Sequence, residues 1–135
     1  MIGAGDVGAG DALEGSWAPV AADVSGQNLP IAELRVARLS FAADRYSIVD
    51  HSGGVVDAGN WELGAPMNPR PLDLIGSAGP NAGRRVLAII ALDGERLCLG
   101  YDMERDRRPT GWKHEPDQLL LCITLVRQVD TGFSA

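Results

Sequence analysis

Residues 87–100 read LAIIALDGERLCLG. Two apolar runs flank Asp93-Gly94, a dipeptide that supplies the positive φ which a type I′ turn demands at both central positions. The stretch therefore predicts a tight antiparallel hairpin with strands rich in Leu and Ile. Turn signals recur on either side of it: Ser25-Gly26, Ala43-Asp44, Ser52-Gly53-Gly54, Gly64 to Pro69, Gly79 to Gly83, and a longer irregular stretch from Met103 to Pro116. The segments between them are rich in Val, Ile, Leu and aromatic residues, and they predict strands at 15–23, 36–42, 45–51, 54–63, 70–76, 84–92, 95–102 and 117–128. Short connections throughout imply sequential pairing. The fold class that follows is all-β: an eight-stranded antiparallel up-and-down β-barrel, with a short helical turn near 30–35 where Pro30 suits a first helical turn.

Several segments alternate with period two. Val55, Asp57, Gly59 and Trp61 stand against Val56, Ala58, Asn60 and Glu62, and Ala37, Leu39 and Phe41 against Val36, Arg38 and Ser40, so one face of each strand is wet or lines a lumen. Val86 to Leu92 and Leu119 to Val126 are apolar on both faces. The tightest core is expected there, with the outer side covered by a neighbouring element or loop.

The chain has 135 residues, 45% of them hydrophobic, which suits one domain with one core. No apolar run approaches the ~20 residues of a membrane helix, and no basic and apolar leader opens the chain, so the expectation is a cytoplasmic protein with no membrane partner. A net charge of −6 works against a nucleic-acid partner, because phosphate backbones are bound by clustered Lys and Arg. The one basic cluster, Arg105, Arg107 and Arg108, is interleaved with Glu104 and Asp106.

Motifs for cofactors and conventional catalysis fail on context. Gly3, Gly5 and Gly8 have the G-x-G-x-x-G spacing of a dinucleotide site, but only Met1 and Ile2 precede them and Gly10 and Gly15 interrupt any helix after them. No cofactor is expected, and residues 1–12 read as a flexible leader. Metal is not expected either, since the only histidines, His51 and His114, are far apart and in no ligand-spaced cluster. Gly76-Ser77-Ala78-Gly79 lacks the spacing and the following helix of a nucleophile elbow. Cys98 and Cys122 fall on adjacent strands and are expected to be reduced core residues, with a bridge as the alternative. Asp44, Asp50, Asp57, Asp73 and Asp93 all read as turn residues or outward strand positions on a solvated face, and no catalytic residue is assigned.

A set of short motifs also carries a resemblance. LEGSW at 13–17, NLP at 28–30, LSFAADRYSIVD at 39–50, GNWEL at 59–63, PRPLDLIGSAGPNAG at 69–83, ALDGERLCL at 91–99, RRPTGW at 107–112 and LVR at 125–127 resemble, in order, the lipocalin-like domain family common in planctomycetes and verrucomicrobia. That family is similar to the calycins, which are eight-stranded barrels. The resemblance implies a domain over residues 13–128 and a tail at 129–135. It also implies structural roles for Gly15, Trp17 and Arg127, the Trp closing one end of the barrel with the Arg packed across its ring.

Function in such a barrel sits at its mouth and lumen. Trp61, Tyr101, Arg107, Arg108, Trp112 and His114 are the candidate ligand-binding residues, four of them on the irregular 103–116 stretch, which is read either as a lid or as a plug with wet arginines. The expected function is binding of a small apolar or amphipathic molecule. Two alternatives stay open: a cofactor-free cyclase-type enzyme using the cavity, and a protein-interaction domain with a filled barrel.

Overall fold

A computed structural model describes residues 12–104, 107–113 and 115–128. Nine strands run in chain order: β1 Gly15–Val24, β2 Gln27–Asn28, β3 Arg38–Ala42, β4 Arg45–Val49, β5 Val55–Leu63, β6 Arg70–Ala78, β7 Arg85–Asp93, β8 Arg96–Asp102 and β9 Leu120–Arg127. Each of the eight long strands pairs antiparallel with the next, and β1 also pairs with β9 from Trp17↔Arg127 to Val24↔Leu121. The result is a closed eight-stranded antiparallel up-and-down barrel. The ninth strand, β2, is a two-residue return on the end of β1 (Asp23↔Asn28, Val24↔Gln27), and a single 3₁₀ turn occupies Ile31–Glu33. No helix among the described residues is long and apolar enough to cross a membrane.

The hairpin at Asp93-Gly94 forms, but one residue later than its sequence suggests. Asp93 pairs with Arg96, so the central residues are Gly94 and Glu95, and of these only Gly94 has positive φ, +61°. That is the type II′ requirement, Gly at the first central position, and not the type I′ one. Asp93 is thereby free to continue the ladder.

Inward side chains come from the alternating positions the sequence offers. Leu39, Phe41, Tyr46, Leu72, Leu74, Ala88, Ile90, Leu97, Leu99, Leu121, Ile123 and Leu125 form one buried cluster with Trp17. One end of the barrel is shut. Trp17 is fully buried, its Nε1–H donates to the Leu13 carbonyl at 2.9 Å, and the Arg127 guanidinium lies 4.3 Å from its ring centroid. Arg127 also donates to the carbonyls of Glu14, at 2.7 Å, and Ala12. Gly15 makes this approach feasible: its φ is +120°, and a Cβ there would sit 2.9 Å from Arg127 Nη1.

Of the two strands that are apolar on both faces, β7 is covered on the outside, while the outward Cys122, Thr124 and Val126 of β9 are half-buried. Ile89 is buried on the outer face of β7, where Gly100 of β8 pairs with it, and a Cβ on Gly100 would meet the Trp112 ring at 3.0 Å. The segment after β8 therefore lies against the barrel wall. Ser25 anchors the end of that segment, donating through its hydroxyl to the Gln118 carbonyl at 2.9 Å and through its amide to the Leu120 carbonyl at 2.7 Å.

Candidate functional site

Opposite the closed end, the barrel interior holds a cavity of about 460 Å³. Its wall is mostly aliphatic: Val24, Leu39, Ile48, Leu74, Val86, Leu99, Leu121 and Ile123 come from seven strands at their inward positions. The segment 29–36 lies across the mouth, with Leu34 buried and Leu29, Glu33, Arg35 and Val36 on the cavity rim. His51, in the β4–β5 turn, holds that segment. Its Nε2 lies 2.9 Å from the Leu34 carbonyl and 3.2 Å from the Ile31 carbonyl, and since both partners can only accept, Nε2 carries the proton. Asp50 stiffens the same turn by accepting from the Ser52 amide, the Ser52 hydroxyl and the Gly54 amide at 2.6–3.1 Å.

One stretch of the cavity wall is polar. Asp57 is 6% exposed, and its side chain lines the cavity beside Asn81 and Tyr101. Asn81 Nδ2 donates to Asp57 Oδ2 at 2.9 Å, while Oδ1 is buried with no hydrogen-bond partner among the described residues. A glycine makes this pairing feasible. The turn after β6 folds back over Gly76, where a Cβ would come within 2.0 Å of the Asn81 carbonyl oxygen, and two backbone bonds of 2.9 Å, Gly83 N–H to Gly76 O and Gly76 N–H to Arg84 O, fix it there.

The two tyrosines near Asp57 feel both burial and its charge. Desolvation first, then the Asp57 carboxylate, push the Tyr46 phenol well above its ordinary value, and the same two causes in the same order raise Tyr101. The Tyr46 hydroxyl is close enough to Asp57 to sense it, yet it makes no hydrogen bond of good geometry and is itself buried without a partner among the described residues. An apolar chamber with one carboxylate and two phenols in or beside its wall can solvate an amphipathic molecule at one pole only.

Asp57 corrects the sequence reading that placed it outward on a solvated face. It shares the inward phase of β5 with Gly59 and Trp61, and Ile48, its register partner, also faces the lumen. The phase it shares with Trp61 was the signal available in the sequence. The other acids stay at the surface: Asp44, Asp50 and Asp93 lie in or beside turns, and Asp73 points outward from β6.

The six candidate ligand-binding residues do not converge. Tyr101 lines the cavity. Trp61 points into the barrel but off the cavity wall, edge-on to Phe41 with centroids 5.2 Å apart, and its Nε1–H is buried without a partner among the described residues. Arg107, Arg108 and Trp112 lie on the outer wall. Arg108 donates to Asp73 Oδ1 at 2.6 Å and to the Ala88 carbonyl at 2.7 Å, Arg107 approaches Asp102 and Asp117 at 3.7 and 3.6 Å, and Trp112 covers Gly100. His114 lies outside the described residues, as do 1–11 and the tail at 129–135.

Cys98 and Cys122 are free and half-buried. Cys98 pairs with Thr124 and Cys122 with Gly100, so the two thiols are diagonal neighbours on the outer face of β8 and β9 and do not belong to the core cluster. No group of three or more His, Cys, Asp or Glu side chains that could hold a metal ion occurs among the described residues. No family model matches the chain, and no curated protein or solved structure matches it either. The functional reading rests on the cavity itself.

Proposed function

We propose that the chain is a binding domain that holds one small apolar or amphipathic molecule inside the barrel. The observation that carries this reading is the cavity. At about 460 Å³ it falls within the roughly 300–1,000 Å³ typical of small-molecule sites, and its wall is apolar with a few polar groups gathered at one place. A barrel built for stability alone would fill that space with side chains, since an unfilled cavity costs roughly 24 cal/mol per Å³ when it is made by truncation. The closed end, sealed by Trp17 and Arg127, makes the chamber blind, so the ligand enters past the segment 29–36.

Titration with the neutral dye N-phenyl-1-naphthylamine tests this reading. The wild-type chain is expected to give saturable, blue-shifted fluorescence at one dye per chain, and Ile123→Trp, which puts an indole into the cavity, to weaken it at least tenfold. Absence of binding to the wild type, or equal binding by both proteins, would overturn it. Native mass spectrometry of freshly purified protein adds a direct check through any co-purified mass.

A further inference from the structure

We propose that the molecule held in the barrel is an organic cation, an apolar body bearing a protonated amine whose N–H donates to Oδ1 of Asp57. The inference rests on the small-molecule reading above and names the chemical class of ligand.

A carboxylate in a barrel of this kind is an exception that calls for a partner. Acidic side chains are almost never fully buried unless they are paired, because removing a charge from water is costly without a counter-ion. Asp57 is 6% exposed, and among the described residues the neighbours that reach it are neutral: the Asn81 amide on Oδ2, and the phenols of Tyr46 and Tyr101. Even with the Tyr46 hydroxyl turned to donate to Oδ1, the carboxylate would gain a dipole and no opposite charge. Among the described residues on the cavity wall the one cationic side chain is Arg35, exposed on the rim, where Glu33 also stands and Asp50 is near. The missing counter-ion is therefore expected from the ligand.

Three further features favour a cation over an alcohol or an acid. The Tyr101 ring lines the cavity beside Asp57, and aromatic rings attract ammonium groups, more strongly when the site is dry. The rest of the wall is aliphatic and suits a hydrocarbon body. The chain's net charge of −6 concentrates cations around it and disfavours anions.

Matched ten-carbon probes test the head group: n-decylammonium, n-decanol and n-decanoate, each below its micellar concentration, titrated calorimetrically into the full chain. Wild type is expected to bind decylammonium at least tenfold more tightly than decanol, with decanoate weakest. Asp57→Asn, which can keep the Asn81 contact, should bring decylammonium within threefold of decanol. Ile123→Trp should abolish binding of decylammonium, which separates the cavity from adsorption to the acidic surface.

Decanol or decanoate binding the wild type as tightly as decylammonium would overturn the cation and leave the cavity reading standing. A decylammonium preference that survives in Asp57→Asn or in Ile123→Trp would overturn Asp57 as the anchor. If neither the neutral dye nor any of the three probes binds, the cavity reading falls and the cation with it. Circular dichroism establishes whether Asp57→Asn is folded, and if it is not, the head-group comparison in the wild type decides alone.

Discussion

The Arg127 guanidinium stands over the Trp17 ring, 4.3 Å from its centroid, and ties the chain's first described turn to its last strand through the carbonyls of Glu14 and Ala12. A cation-π contact of about 0.5–2 kcal/mol joined to charge-assisted hydrogen bonds of about 1.5–3 kcal/mol makes this a substantial contribution. Arg127→Ala is expected to destabilise the protein by about 2–4 kcal/mol in urea unfolding, and Arg127→Lys to recover less than half, since an ammonium cannot both stack and fork. Gly15→Ala should cost a similar amount, through its φ of +120° and the crowding of Arg127. A loss below about 0.5 kcal/mol in Arg127→Ala would show that this end of the barrel is sealed without it.

Asp73, on the outer wall, carries a pH signature. Burial acts to raise its carboxyl, but hydrogen bonds from Arg108 at 2.6 Å and Arg85 at 2.5 Å outweigh it and hold the group below its ordinary value. A carboxyl depressed in the folded state stabilises the fold above its unfolded pKa of about 3.9, and that stability is lost as pH falls through the folded value. Asp73→Asn should therefore be less stable than wild type at pH 7, with the gap narrowing as pH falls below about 4. Equal gaps at pH 7 and pH 2.5 would refute the assignment.

Trp112 separates the outer wall from the lumen. It covers Gly100 from outside and stands 37% exposed. Trp112→Ala should lower stability by about 1 kcal/mol, the scale of a partly buried aromatic lost from a surface, and leave dye affinity within twofold of wild type. A tenfold loss of affinity would place the ring at the mouth instead.

Cys122 should be slow to react. Burial, followed by Asp23 and Cys98, pushes its thiol up to about 11, so at pH 8 its thiolate fraction is about a hundredfold below that of a thiol at 9.0. Iodoacetamide labelling of the native protein, read by peptide mass, is expected to be roughly a hundredfold slower at Cys122 than in the unfolded chain. Labelling at the unfolded rate would mean that the thiol is not shielded.

His51 should control access. Replacing it with Ala removes the donor that reaches the Leu34 and Ile31 carbonyls, and the segment 29–36 across the mouth loses a tether to the β4–β5 turn. Faster amide exchange at 31–36 and faster dye association and release are expected, with affinity changed less than either rate. Unchanged exchange there would show that the segment is held by Leu34 burial alone.

Much of the barrel was legible because strands and turns are local. Turn residues at short spacing delimit all eight long strands to within about three residues. The site was less legible. Period two shows that a strand has two faces but not which of them is inside, and that choice depends on the register with the neighbouring strands. Asp57 was lost for that reason, although Trp61 two turns of the pleat away marks its face. The stretch after β8 was misleading in another way: Arg108 and Trp112 are the residues of a binding loop by composition, yet Asp73, the Ala88 carbonyl and the bare backbone of Gly100 draw them to the outside wall. None of those attractions lies within the loop's own sequence.

The β1–β9 seam has a consequence for how the barrel assembles. Every other ladder joins strands adjacent along the chain, apart from the small step over β2, whereas Trp17 must find Arg127 across nearly the whole domain. Contacts of such long sequence separation carry the largest loop-closure entropy and are reached late. Substitutions at Arg127 should accordingly accelerate unfolding and leave the refolding rate nearly unchanged, a φ-value near zero at a contact on the closing seam. The last join to be made would then be the first to part, and the ring would open at its seam.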